Sequence, residues 1–164
     1  MSSLSFYKEV FMLKYYDNIN TITDEFIAKL NKLKNAVNKF NDYLSKFTEK
    51  SIFKTTLTAE EQKSIKISFC NLCLFIDSLH FSDTIGDISQ LIITLTEKCT
   101  EPHSTDIDRC LCMLNKLFDL YILADSKTLH GYIENSYSLD INEFISKGNN
   151  IIVVFDNIIK ELKS

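Results

Sequence analysis

Apolar side chains return along residues 23–50 at alternating spacings of four and three: Phe26, Leu30, Leu33, Val37, Phe40, Leu44 and Phe47. This rhythm is a heptad seam, and it predicts about 40 Å of helix. Asp24 and Glu25 stand where the positive end of a helix dipole would favour them, so the helix is expected to start there. Ahead of it, residues 3–18 predict a separate first helix. Leu4, Tyr7, Phe11 and Tyr15 define one face, while Phe6, Val10, Met12, Leu13 and Tyr16 spread far beyond it.

Thr58 followed by Glu61 has the spacing of a capping box and opens a helix over 59–80. Its seam is Ile65, Phe69, Leu72, Ile76 and Leu79, but Ile67, Cys70, Cys73, Leu74 and Phe75 widen the apolar surface almost to a full circle. A turn at 80–83 leads to a helix over 84–99, seamed by Ile85, Ile88, Ile92, Leu95 and Cys99. A loop around Pro102 follows, with Ser104 or Thr105 as the cap of a helix over 105–125 that is again apolar nearly all round. Over 140–163, Ile141, Phe144, Gly148, Ile151, Phe155, Ile158 and Leu162 keep one unbroken rhythm. That predicts one helix with Gly148 on its apolar line, two shorter helices parting at Gly148 being the alternative.

A helix greasy on every side belongs inside, and one with a single apolar stripe belongs outside. The expected fold is therefore all-α: a single domain over 1–164, of about six helices. Two central apolar helices, 59–79 and 106–124, are wrapped by the amphipathic ones at 23–50, 84–99 and 140–163.

Composition agrees with this class. With 45% hydrophobic and 24% charged residues, one proline and three glycines, the chain can bury a core but lacks the turn residues of an all-β fold. The longest uninterrupted apolar runs, 72–76 and 151–155, fall short of the roughly 20 residues that span a bilayer, so no transmembrane segment is expected. The opening "MSSLSFYKEVF" has no secretory pattern, which favours a cytoplasmic setting. Five irregularly spaced cysteines then read as free, buried thiols. Arg109 is the only arginine among 18 basic residues, and Ile and Asn are abundant, as in an AT-rich genome such as a virus or intracellular pathogen has.

Charge is uneven: residues 1–66 carry a net +3 and residues 67–164 a net −7. Lys32, Lys39 and Lys46 recur every seven residues opposite the heptad seam, a basic strip suited to an acidic partner or simply to solvent. With one arginine and no aromatic-basic motif, nucleic-acid binding is not expected.

Candidate chemistry fails on geometry. Cys70 and Cys73 have the spacing of half a zinc site, but Cys110 and Cys112 point about 200° apart on a helix and cannot both complete it. His80 lies two turns, about 10 Å, from Cys73 and is better placed as a helix end. His103 in the Pro102 loop and His130 beside Gly131 read as ordinary exposed positions, there is no Glu-x-x-His, and Gly86, Gly131 and Gly148 are isolated. The expectation is a non-enzyme without cofactor or metal.

What remains is binding. The expected function is that of a helical interaction protein, a regulator or adaptor that holds a partner's helix in an apolar groove. Tyr7, Phe11, Met12, Tyr15 and Tyr16 are the candidate partner-binding residues, through which a homodimer could also form. An alternative is a carrier or sensor of an apolar small molecule such as a fatty acid, with Arg109 as the headgroup cation; a second alternative is a self-assembling structural protein. In its plan of central apolar helices the chain resembles viral cell-death inhibitors that capture a death-promoter helix, a likeness that would imply a host-directed role. None of that family's signature motifs is present, and the long heptad helix departs from its pattern.

Overall fold

The computed structural model describes residues 3–47, 57–98, 105–133 and 141–164, with side chains over 14–47, 57–97, 105–128 and 141–164. The described residues form helices α1 (Ser3–Ser45), α2 (Ala59–Ser78), α3 (Phe81–Lys98), α4 (Thr105–Ile133) and α5 (Ile141–Lys163), with no strand among them. The all-α class holds, with five helices among the described residues where about six were expected.

The difference lies at 18–23, where one helix of 43 residues replaces two. The polar run "DNINT" contains neither glycine nor proline, and Asn costs a helix interior only about 0.7 kcal/mol relative to Ala. Tyr15 and Ile19 are buried, so the seam reaches Phe26 without a gap. Thr23 donates from Oγ1 to the Ile19 carbonyl at 2.8 Å, satisfying its hydroxyl within the helix. At its other end α1 stops at Ser45, five residues short of expectation, and two turn bonds close it: Lys46 N to Tyr43 O at 3.3 Å and Phe47 N to Leu44 O at 2.9 Å.

The chain groups into two compact units. The first comprises Met1–Ala28 with Phe81–Ile122, the second Lys29–His80 with Leu123–Ser164, so α1 and α4 each contribute to both.

In the first unit the core is aromatic at its centre. Phe26 of α1 stacks on Tyr121 of α4 with ring centroids 3.7 Å apart and 17° between planes. Phe81 of α3 meets both edge-on, at 6.2 Å and 5.8 Å. Ile88, Leu95, Cys110, Leu114 and Leu117 continue this core.

In the second unit the heptad residues Leu30, Leu33, Val37, Phe40 and Leu44 are buried, as is the α5 line Ile141, Phe144, Gly148, Ile151, Phe155 and Ile158. A single helix over 141–163 with Gly148 inside the apolar line is therefore what forms. Two polar contacts fix how α1 and α5 align. Lys34 pairs with Asp156, and Asn41 donates from Nδ2 to Asn149 Oδ1 at 3.2 Å and weakly to the Ile145 carbonyl at 3.5 Å. Seven residues forward on α1 correspond to seven back on α5, so the pair is antiparallel in one register.

Asn41 is 7% exposed and its Oδ1 has no partner, a desolvation cost for one amide oxygen. Asn41→Leu, which keeps the volume and removes the orphaned oxygen, is expected to be neutral or to stabilise by about 1 kcal/mol. Urea midpoints of the two proteins check this.

α2 begins as expected. Thr58 Oγ1 accepts from Glu61 N at 3.1 Å, and Glu61 Oε1 accepts from Thr58 N at 3.4 Å, completing the capping box. It ends earlier than expected, at Ser78, with Leu79 as C-cap; His80 follows with φ 53°, in the left-handed region. This sharp stop lets α3 start at Phe81, three residues early, with that ring buried. α4 runs eight residues past its expected end. Its polar stretch "DSKT" stays helical, with Thr128 buried and its hydroxyl donating to Asp125 O at 2.9 Å.

Candidate functional site

The two helices expected to be enclosed are not. α2 turns Ile67 (52% exposed), Cys70 and Leu74 (66% exposed) to solvent, and α4 exposes Cys112, Ile122 and Leu123. The physical reason is that α2 has a true polar side. Ser64, Asn71 and Ser78 recur every seven residues, all exposed, about 100° around the helix from the buried line Ile65, Leu72 and Leu79. The apolar residues counted as a widened core stand among them.

The first-helix candidates divide. The side chains of Tyr7, Phe11 and Met12 lie outside the described residues. Tyr15 is buried in the first unit and is core, not free surface. Tyr16 is half-buried, donating to the Asp106 carbonyl at 3.4 Å and lying against Cys110. Lys32 and Lys39 are exposed on α1, as is Lys46, which falls in the turn beyond the helix end rather than on a continuous strip. Arg109 is exposed near the start of α4, so it is not the buried cation that an enclosed headgroup would require.

The cysteines differ in kind: Cys110 is buried, Cys73 half-buried, Cys70 and Cys112 exposed. Burial pushes the Cys73 and Cys110 thiols up, away from the thiolate that nucleophilic chemistry needs. Among the described residues no group of three or more His, Cys, Asp or Glu is arranged to hold a metal ion. Cys99 and His103, and the side chain of His130, lie outside the described set. His80 is exposed at the helix end, where it was expected.

Among the described residues Tyr121 carries a fully buried hydroxyl-bearing side chain. Burial pushes its phenol well above the ordinary 10.0; Thr84 acts in the other direction, and the smaller effect of the Glu25 charge adds to the rise. Thr84 approaches the hydroxyl without making a hydrogen bond of good geometry. The fold thus holds this phenol neutral. Its contribution is complete below pH 10, where the unfolded chain is neutral too, and is lost as pH rises toward the raised value. Stability measured from about pH 9 to about pH 11 is expected to fall, and Tyr121→Phe to flatten that fall. Urea midpoints across the range measure both slopes.

The second unit has a pocket of about 30 Å³ walled by Phe40, Leu44, Ile65, Phe69, Ile141 and Phe144, with Lys66 as its charged neighbour. Its rings are in contact: Phe69 lies 6.1 Å from Phe40 and 5.6 Å from Phe144. The space suits a water molecule or two, against the roughly 300 Å³ and more of a small-molecule site.

The stretch Ala59–Glu97 is long and apolar enough, by length and composition alone, to cross a membrane: its most apolar window has a mean hydropathy of 1.2 and is 28% buried. Uninterrupted apolar runs miss it because polar residues are interleaved. The left-handed turn at His80 breaks the stretch into two helices.

The candidate site is the outward face of α2. Single exposed apolar residues such as Ile93 and Val153 are ordinary. Ile67 and Leu74, two turns apart with Cys70 between them, instead form a stripe on one helix face, with Lys63 and Asp77 exposed at its ends. No family model, curated protein or solved structure matches the chain.

Proposed function

We propose that this chain is a non-enzymatic helical interaction protein, a regulator or adaptor working inside the cell, and that its docking surface is the outward face of α2. The observation that carries the reading is the exposed stripe Ile67–Cys70–Leu74 on a helix whose opposite side is anchored in a core. A partner helix presenting apolar anchors one and two turns apart matches that stripe in spacing. Lys63 and Asp77 give it opposite charges at its two ends, which orient an approaching helix. The small volume of the pocket between Phe40 and Phe144 favours this surface over an enclosed apolar ligand.

The test compares the full chain with Ile67→Glu/Leu74→Glu as baits in cells that express the protein. A protein retained by the parent and lost from the variant, at unchanged helix content and melting temperature, is the expected result. Equal retention by both baits would overturn the reading.

A further inference from the structure

The α2 face has a symmetry that a docking stripe for an unrelated helix would not need. Lys63 stands seven residues before Cys70 and Asp77 seven after it; Ile67 stands three before and Leu74 four after. At 100° per residue the five positions fall within an arc of about 80°. All five are exposed. Reversed end for end, the strip matches itself to within one residue with its charges exchanged: lysine opposite aspartate, isoleucine opposite leucine.

We infer that the partner of this face is a second copy of the chain, its α2 packed antiparallel across a two-fold axis passing near Cys70. The inference rests on reading the α2 face as a docking surface and specifies what docks there. In an isologous contact residue i meets j and j meets i, so one lysine and one aspartate supply two ion pairs, one at each end. Ile67 of each copy packs on Leu74 of the other, the two Cys70 thiols face each other at the axis, and the two helix dipoles run in opposite directions. A single helix on a single helix buries little area, so monomer and dimer exchange with concentration.

Sedimentation equilibrium of the full chain over a wide concentration range tests this. The parent is expected to dimerise reversibly, more weakly at high salt. Leu74→Glu is expected to remain monomeric. Lys63→Asp and Asp77→Lys should each weaken the dimer about tenfold, because the two-fold axis repeats every change. The double variant Lys63→Asp/Asp77→Lys should restore it, a rescue that a merely unfolded variant cannot give. A short bis-maleimide is expected to link two parent chains, to fail with Cys70→Ser and to succeed with Cys112→Ser.

A monomer at every concentration overturns the inference, as does a dimer indifferent to Leu74→Glu or a charge swap that fails to rescue. If the chain is monomeric while Ile67→Glu/Leu74→Glu still loses its captured protein, the second-copy inference alone falls. If neither dimer nor capture responds to the α2 face, the docking reading falls with it.

Discussion

Truncating Phe26 to alanine is expected to destabilise the protein by about 3–5 kcal/mol, the range for removing a buried phenylalanine. Phe26 is fully buried, stacks face to face on Tyr121 and receives the edge of Phe81. Three helices therefore lose contact at one place. The ring cannot be replaced by collapse of its neighbours, since two of them are rigid aromatics whose positions depend on it. Urea unfolding gives the size of the loss, and near-UV circular dichroism gives its location, because Tyr121 loses its asymmetric surroundings. A loss under about 1 kcal/mol would mean that the three rings are not packed as described.

Leu72→Asp and Leu74→Asp, two positions apart on α2, are expected to differ sharply. Leu72 is 6% exposed and points into the second unit's core, where an unpaired carboxylate costs several kcal/mol or must take up a proton. Leu74 stands in water, and its substitution is expected to change stability in dilute solution by no more than about 0.5 kcal/mol. Thermal unfolding of both variants decides the matter. Similar losses at the two positions would place Leu74 in the interior and remove the docking face.

Much of the helical pattern was legible because burial on a helix repeats every three or four residues. The seam from Phe26 to Leu44, the capping box at Thr58 and the unbroken line through Gly148 all follow from local spacing. Helix ends were less legible. "DNINT" lies at the expected break between two helices and "DSKT" at an expected end, yet Ile19 and Thr128 are buried inside continuing helices. Polarity alone does not end a helix; what ends α2 is the left-handed backbone at His80. The α2 face was misread because apolar content was weighed above the spacing of polar residues. The recurrence of Ser64, Asn71 and Ser78 marked the solvent side and was the available signal. The pairing of α1 with α5 had no local trace, since nothing in either helix alone names its neighbour.

That pairing gives Asn41 a consequence separate from its energy. The apolar lines of α1 and α5 repeat every seven residues, and a hydrophobic seam of that kind can slip by one repeat with little change in area buried. Slippage would carry the Asn41 amide away from Asn149 and would part Lys34 from Asp156 as well. The amide works like the notch in a ratchet, weak as an adhesive but intolerant of misalignment. A chain with leucine there could gain cohesion and still lose the assurance that its helices always meet at the same tooth.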